Sequence, residues 1–243
     1  MYTEKYREIL APFERHSVYM DFDLSAWNGL VDQLPVERYR RGAFIRMNGD
    51  TTSRVTIFRS GFALVGTVLL SGRTAAVHIN GPGAVWGMPS MFSEENGHPT
   101  RTNLIALTDC EVWHVPRTQL RKWTVANPMH AESIIQLECR KSLVFVQHME
   151  VLATPKMRCR VAGLLLGLYA VLGEDVPEGL RLPFRLTHQQ LADCVCSDRV
   201  TVARIVSELG KAGILGRTGG CYLLHRPDLL REAAFDRWQP SEY

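Results

Sequence analysis

The chain has 243 residues, of which 46% are hydrophobic and 22% charged, and its formal net charge is +3. This composition is typical of a globular protein with at most two domains, and it excludes disordered and fibrous classes. The longest apolar run, 161–173, is shorter than the ~20 residues that a membrane-spanning helix needs. The first residues lead into no apolar run, so we expect no signal peptide, no membrane partner and a cytoplasmic location.

Short apolar segments separated by glycines fill the region between about residues 35 and 117. Strands at such regular spacing predict an antiparallel barrel or sandwich. The expected strands are Val55–Phe58, Phe62–Leu70, Ala75–Ile79, Asn103–Leu107 and Glu111–Val115. We assign residues 1–128 to this first, β-rich domain.

A segment without glycine or proline follows, Met129–Ala153, and its helical spacing of apolar residues predicts one long helix. The helix has two adjacent apolar lines. The first contains Ile134, Leu137, Val144 and Val151, and the second contains Ile135 and Met149 with Phe145 and Leu152. One line could cover its own domain while the other faces a second copy of the chain, or both could form one wide stripe. The helix alone leaves a homodimer undecided.

The third region, residues 155–243, opens with an expected helix at Met157–Leu172 and a connector at Gly173–Pro183. Thr187 is placed as the N-cap of a short amphipathic helix. A tight turn at 196–198 then leads into a second helix, Arg199–Lys211, and the small Ala192 lies at the crossing. This pattern predicts a helix-turn-helix, although an αα-hairpin used only for packing has the same outline.

The exposed face of the second helix presents side chains suited to reading DNA. Arginine can donate two hydrogen bonds to guanine, and valine or the threonine methyl can pack on a thymine methyl. Residues 187–189 begin the first helix and are placed for phosphates. Two short strands with a Gly-Gly turn follow at 213–224 and predict a wing near Arg217. We expect DNA contacts from Thr187, His188, Gln189, Ser197, Arg199, Val200, Thr201, Arg204, Ser207 and Arg217.

Charge is distributed in keeping with this prediction. Between residues 181 and 231 there are eight basic and four acidic side chains, a local excess that the overall net charge conceals. Such an excess is compatible with phosphate contact.

The sequence resembles the Crp/Fnr family of transcription regulators over nearly its whole length. The resemblance rests on Leu186-Thr187-x-x-x-Leu191-Ala192-x-x-Val195-x-Ser197-x-Arg199-x-Thr201-Val202-x-Arg204-Ile205-x-x-x-Leu209 and on Gly81-Pro82-Gly83-x-x-x-Gly87. It implies an α+β protein with an N-terminal antiparallel, jelly-roll-like β-roll (1–128), a dimerisation helix (129–154) and a winged helix-turn-helix (155–243). It also implies a homodimer that binds DNA and RNA polymerase, with a hinge at 153–155 that a ligand shifts.

The sequence departs from the family pattern in the sensor. In cyclic AMP receptors a Glu that binds the ribose follows the glycine matched by Gly87, but Met88 stands here, and Thr100-Arg101 only loosely matches their phosphate-binding Arg-Ser pair. We therefore expect an aromatic or acidic small molecule rather than cyclic AMP. The candidate effector-binding residues are Trp86, Gly87, Met88, Met91, Thr100, Arg101, Lys141, Phe145 and His148.

Val200 replaces a Glu that many members use to accept a hydrogen bond from cytosine. A valine there resembles regulators of halogenated-phenol respiration, and it favours a thymine methyl, so we expect an A·T-rich inverted repeat. No cysteine precedes Cys110 and Pro89 replaces the haem-ligating His of other members, so neither an iron–sulfur cluster nor haem is expected.

The cysteines and histidines leave two alternatives. Cys194 and Cys196 flank the turn, and Cys196 replaces the glycine usual there, so a thiol redox-responsive regulator is one alternative to ligand control. Simple buried or tolerated thiols are the other explanation of these cysteines. His78, His98, His114 and His130 lack metal-ligand spacing. A small-molecule-binding enzyme is the second functional alternative, but no catalytic motif supports it.

Overall fold

The structure is a computed structural model that describes residues 4–51, 53–89 and 99–239. The chain divides into two compact units. The first comprises 1–19, 75–77 and 144–243, and the second comprises 20–74 and 78–143. The sequence predicts 1–128 as one domain, whereas contacts in the structure group 1–19 with the C-terminal region.

The second unit is built mainly from two antiparallel sheets. One sheet has the strand order β1-β6-β5-β8-β3 and the other has the order β2-β9-β4-β7. The strands are β1 (Tyr19–Met20), β2 (Val36–Tyr39), β3 (Phe44–Arg46), β4 (Arg54–Ser60), β5 (Ala63–Val68), β6 (Thr74–Asn80), β7 (Val85–Trp86), β8 (Thr102–Ala106) and β9 (Cys110–Pro116).

The core of this unit lies between the inward faces of the sheets. Ile57 and Phe58 on β4 are fully buried, and β4 pairs with β9 through Thr56–His114 and Ile57–Trp113. All the predicted strands are present within one or two residues at either end. The missed strands β1, β2, β3 and β7 are only two to four residues long, too short to show a period.

Two tight turns depend on glycine. Gly61 (φ 87°) and Gly83 (φ 81°) lie in the left-handed region, and a Cβ at Gly83 would lie 1.7 Å from the carbonyl oxygen of Phe22. A side chain at this position would therefore clash with the backbone. The glycine-containing motif at 81–87 thus has a structural role in joining β6 to β7.

The second unit also contains helices, and the longest of them continues past residue 143, where this unit ends. Helix α2 (Asn28–Val31) lies between β1 and β2 in the chain, and α3 (Arg117–Ala126) follows β9. The predicted long helix is α4 (Pro128–Ala153), which begins one residue before the predicted start.

The first unit is centred on α5 (Met157–Leu172), as predicted. Nearly every side chain between Val161 and Ala170 is buried, because neighbours cover α5 on several sides. Helix α1 (Glu4–Leu10) and a following 3-10 helix, Ala11–His16, cover one of these sides. Leu10 and Phe13 are buried there.

The remaining elements form the predicted winged helix-turn-helix. They are α6 (His188–Cys194), α7 (Arg199–Lys211), the wing strands β12 (Leu215–Thr218) and β13 (Cys221–Leu224), and α8 (Pro227–Ala234). The prediction of 173–183 as a connector was incomplete. That segment contains a hairpin, β10 (Glu174–Val176) and β11 (Gly179–Arg181), which extends the wing sheet to the order β10-β11-β13-β12.

Candidate nucleic-acid interface

Helix α6 begins with the predicted cap. The Thr187 hydroxyl accepts a hydrogen bond from the Gln190 backbone N–H at 3.1 Å, and the Gln190 side chain accepts one from the Thr187 N–H at 2.9 Å. This reciprocal capping box satisfies two N–H groups that a helix start leaves open. It fixes the position of Thr187, His188 and Gln189.

The turn between the two helices contains a left-handed residue that is not glycine. Cys196 has φ 51°, a conformation that costs a non-glycine residue ~1–2 kcal/mol. The turn closes through a hydrogen bond of 2.9 Å from the Ser197 N–H to the Ala192 carbonyl. Cys196 is exposed, whereas Cys194 is buried, and burial together with the Asp193 charge raises the pKa of the Cys194 thiol.

Asp198 caps helix α7. Its carboxylate accepts hydrogen bonds from the Thr201 N–H and the Thr201 hydroxyl, each at 2.8 Å. These bonds lower the pKa of Asp198. The buried face of α7 carries Val202, Ile205 and Leu209. The cap and this apolar face together determine which side of α7 points outward.

The outward side of α7 carries most of the residues that were predicted to read DNA. Arg199, Val200, Arg204 and Ser207 are exposed, and Val200 has 77% of its surface accessible. Arg204 forms an ion pair with Glu208 at 2.8 Å, one turn further along the helix. An exposed apolar side chain beside two arginines fits contact with base edges.

Two predicted contact residues are placed less favourably. Only 7% of Ser197 is accessible, and its position inside the turn leaves little of it for DNA. Thr201 is half-buried, and its hydroxyl is bonded to Asp198, so its methyl group is the part left for a base contact. Sequence spacing put both residues on the reading surface because it showed neither the burial of Ser197 nor the Thr201–Asp198 bond.

The wing holds Arg217 in a defined position. Gly219 (φ 57°) and Gly220 (φ 84°) form the turn between β12 and β13, where two left-handed residues suit a tight hairpin. The Arg217 guanidinium lies 4.1 Å from the centre of the Tyr222 ring and donates to the Gly220 carbonyl at 3.0 Å. It also donates to the Leu186 carbonyl at 3.4 Å, immediately before the α6 cap.

These elements bring five of the predicted contact residues around one cleft of about 440 Å³. Its lining residues are Thr187, His188, Gln189, Arg199 and Arg217. Partial burial and the two neighbouring arginine charges lower the pKa of His188. Two cations and several hydrogen-bond donors make this cleft suitable for an anionic oxygen group such as a backbone phosphate.

The predicted sensor residues are only partly brought together. Trp86 and Met88 are buried, the latter with 2% of its surface accessible, and Gly87 between them is left-handed with φ 94°. Trp86 Nε1 donates to Thr102 Oγ1 at 3.2 Å, and Thr100 Oγ1 lies 3.3 Å from the same atom. Arg101 is exposed, and Met91 lies outside the described residues.

The predicted effector residues of α4 differ from one another. Lys141 is buried and paired with Glu138 at 2.6 Å; burial lowers its pKa and the Glu138 charge opposes this effect. Phe145 is 41% accessible. His148 was predicted to bind an effector, but both its ring nitrogens contact backbone carbonyls of the chain, at Val77 (2.8 Å) and Cys194 (2.7 Å). The effector role of His148 stays a prediction, and its ring nitrogens already have partners within the chain.

The two apolar lines predicted on α4 are distinct. The line through Ile134, Leu137, Val144 and Val151 is buried. On the other line Ile135, Met149 and Phe145 are exposed, as is the adjacent Val146. The single-stripe interpretation is therefore wrong.

A polar cluster around His114 was not recognised from the sequence. Arg46 Nη2 and Thr56 Oγ1 each lie 3.0 Å from Nδ1, and the Tyr39 hydroxyl lies 3.1 Å from Nε2. Burial and the nearby arginines lower the pKa of His114 to about 4. Its residues are far apart in sequence, so no local motif could have revealed it.

The described ranges show neither a metal site nor a membrane-spanning helix. Residues 4–51, 53–89 and 99–239 contain no group of three or more His, Cys, Asp or Glu side chains that could hold a metal ion. The same ranges include no helix that is long and apolar enough to span a membrane.

Comparison with known proteins identifies both parts of the chain. Residues 36–127 match the cyclic nucleotide-binding domain family, and residues 159–233 match the Crp-like helix-turn-helix domain family. A global nitrogen regulator of Synechococcus elongatus is 26% identical over 75% of this chain and 82% of its own length. A CRP-like cAMP-activated global transcriptional regulator of Mycobacterium tuberculosis is 25% identical over 93% of this chain and 99% of its own length.

Solved structures agree on the fold. A CRP-family transcriptional regulator from Thermus thermophilus superposes with a TM-score of 0.70 at 19% identity, covering 84% of this chain and 100% of its own. A sensor of the cyclic nucleotide-binding type followed by a winged helix-turn-helix defines a DNA-binding transcription regulator rather than an enzyme. The chain belongs to the Crp/Fnr family of these regulators.

Proposed function

We propose that the protein binds an A·T-rich inverted repeat in duplex DNA as a homodimer, under the control of a small molecule other than cyclic AMP, and acts with RNA polymerase. The observation that carries this proposal is the exposed face of α7 beside the cationic cleft. Base reading is assigned to Arg199, Val200, Arg204 and Ser207. Phosphate contact is assigned to the cleft.

Val200 is central to the A·T preference. Val200 is highly exposed at the start of the reading helix α7. Its side chain neither donates nor accepts a hydrogen bond, but its methyl groups can pack on the thymine methyl. Arg199 and Arg204 on the same face retain the ability to bind guanine at flanking positions. Each good bidentate contact contributes ~1–3 kcal/mol of discrimination.

The homodimer is supported by the outer face of α4. Ile135, Val146 and Met149 are large apolar side chains that this chain leaves exposed, and they recur at coiled-coil spacing. A second copy of the same helix would bury them. Two reading helices related by a two-fold axis would then address half-sites about one helical turn apart, roughly 34–36 Å.

Binding selection from random duplexes tests the DNA proposal. The wild-type protein should enrich an A·T-rich inverted repeat, and Val200→Glu should shift the preferred base toward cytosine, because a carboxylate accepts a hydrogen bond from the cytosine amino group. Val125→Glu is the matched control, because Val125 is equally exposed on α3 but outside the reading surface. Selection of the same sequence by wild type and Val200→Glu would overturn the role of Val200.

The effector proposal depends on Met88. A buried methionine supplies no carboxylate for ribose hydroxyls, and the neighbouring Trp86 adds aromatic surface. The Mycobacterium tuberculosis relative is named as cAMP-activated, so cyclic AMP is the essential comparison. Thermal-shift measurements should show stabilisation by a substituted phenol or aromatic acid and none by cyclic AMP. Stabilisation by cyclic AMP would overturn this part of the proposal.

Thiol control is a second candidate, favoured by the exposed and strained Cys196. Oxidation of this thiol within the turn would disturb the start of α7 and weaken DNA binding. Band shifts with and without peroxide test it. Wild type should lose affinity, whereas Cys196→Gly, which keeps the left-handed turn without a thiol, should not. Equal affinity of oxidised and reduced wild type would exclude thiol control.

A further inference from the structure

The geometry points to His148 as a positioning residue of the DNA reader, which joins α4 to the end of α6 as an imidazolium and makes DNA affinity depend on pH. This inference rests on the DNA binding assigned above. Val77, His148 and Cys194 all belong to the first compact unit. The His148 side chain is 6% accessible.

The two partners of His148 determine its proton count. Nδ1 lies 2.8 Å from the Val77 carbonyl oxygen, and Nε2 lies 2.7 Å from the Cys194 carbonyl oxygen. A carbonyl oxygen only accepts hydrogen bonds, so each ring nitrogen must donate. A neutral imidazole has one N–H and would direct a lone pair at the other oxygen. Only the doubly protonated ring satisfies both contacts.

The location of this contact links it to the reading helix. Cys194 is the last residue of α6, and its carbonyl is among those that a helix end leaves without a partner in the helix. The next carbonyl, that of Val195, accepts a hydrogen bond from Arg160 Nη1 at 3.0 Å, and the same guanidinium donates to the Thr154 carbonyl at 2.9 and 3.1 Å. Two cations from α4 and α5 thus hold successive carbonyls just before the left-handed turn.

The negative end of the α6 dipole favours a cation at this position. Ionisable groups beside these contacts include Arg160, which donates to the next carbonyl, Asp193 and the Cys194 thiol on α6, and His78 next to Val77 on β6. On α4 itself, Glu150 forms a contact of 3.2 Å with His16, and Lys141 is paired with Glu138.

Loss of the His148 proton breaks one of the two hydrogen bonds. The state with both bonds is therefore favoured at low pH and is lost once the ring gives up its second proton. That state holds the turn before α7 in place, so DNA binding costs less ordering entropy when the bridge is intact. DNA affinity should accordingly fall on going from acid to alkaline conditions.

Nitrogen NMR of the full-length protein tests the proton count directly, without DNA. At about pH 6, both ring nitrogens of His148 should carry protons, because each contacts a carbonyl oxygen that only accepts hydrogen bonds. His225 is the matched comparison, because its Nδ1 contacts one carbonyl, that of Glu178 at 2.8 Å, which a neutral ring satisfies. A neutral His148 with one protonated nitrogen at this pH would overturn the inference.

DNA affinity provides the functional readout. The probe is a duplex enriched by the wild-type protein from a random pool. His188 lines the DNA cleft, and loss of its proton at higher pH would also weaken DNA binding. The pH dependence is therefore measured in the His188→Asn protein, from which this second histidine is absent. Between about pH 6 and pH 8 its affinity should fall about fivefold or more, and adding His148→Gln should remove the dependence.

The outcomes distinguish failure of the His148 role from failure of the proposed DNA binding. The same pH dependence with and without His148→Gln would overturn the positioning role. Failure of the wild-type protein to enrich any duplex would count against the proposed DNA target instead, while the NMR result would still decide the protonation of His148. His225→Gln should leave the pH dependence of affinity unchanged, and a change there would show that the effect is not specific to His148.

Discussion

Gly167 on α5 lies directly against the backbone of His16, so closely that a Cβ on Gly167 would be 2.7 Å from the His16 carbonyl oxygen. This close approach joins α5 to the N-terminal segment. It explains why residues before the first strand pack as part of the C-terminal unit, and it requires a residue without a side chain.

We expect Gly167→Ala to destabilise the protein by about 1–3 kcal/mol, because the added methyl group must displace backbone. Gly163 is the matched control in the same helix, since a Cβ there meets no atom within 4 Å. Gly163→Ala should stabilise by about 0.5–1 kcal/mol through helix propensity. Urea unfolding measures both, and changes of the same sign would contradict the close approach.

Replacement of Cys196 by glycine should relieve the left-handed strain in the turn. The relief of ~1–2 kcal/mol is partly offset by the ~0.5–1 kcal/mol entropic cost of glycine, so a net gain of up to about 1.5 kcal/mol is expected. Cys221→Gly in β13 is the control and should destabilise, because a glycine in a strand only adds entropy cost. Thermal unfolding of the two variants should therefore shift in opposite directions.

The sequence predicted helices and caps well, because local pattern determines these elements. Helices 157–172 and 199–211 match to the residue, and the Thr187 cap is as expected, because caps and amphipathic faces are set by near neighbours in the chain. Cys196 was identified as occupying a glycine position from the glycine usual in that turn of the family, and its φ of 51° agrees with this.

Features that depend on distant segments were not predictable. The grouping of residues 1–19 with α5 depends on contacts between segments about 150 residues apart, and the bonds of His148 depend on three separate elements. A histidine on an apolar helix face has the same sequence pattern whether it binds an effector or two carbonyls. Only the position of the carbonyls distinguishes these roles.

Arg217 should contribute to DNA affinity without contributing to sequence preference. Its position over Tyr222 and beside the α6 cap directs it to a phosphate, so Arg217→Ala should weaken binding to all duplexes alike and reduce the salt slope by about 1. Arg181→Ala is the control, because Arg181 lies in the same sheet but is paired with Glu174. Titrations at several salt concentrations measure the slope. A change in sequence preference would show that Arg217 contacts a base.

His114 should make the sensor sensitive to acid, in a sense that follows from its surroundings. Its folded pKa of about 4 lies below the ordinary value of 6.5, so the unfolded chain binds more protons between these values. The contribution of His114 to stability is therefore fully present above about pH 6.5 and is lost as the pH falls toward 4. Arg46 and Thr56 can donate to Nδ1 only while that nitrogen carries no proton.

We expect the free energy of unfolding of wild type to fall over this window more steeply than that of His114→Gln, which has no titrating ring. His114→Gln should itself cost about 1–3 kcal/mol at neutral pH, because partners within the cluster lose hydrogen bonds. Denaturant unfolding at a series of pH values between about 4 and 7 measures the difference. Parallel pH profiles for the two proteins would mean that His114 does not titrate in this range, and NMR of its ring nitrogens would then locate the group responsible for any remaining acid sensitivity.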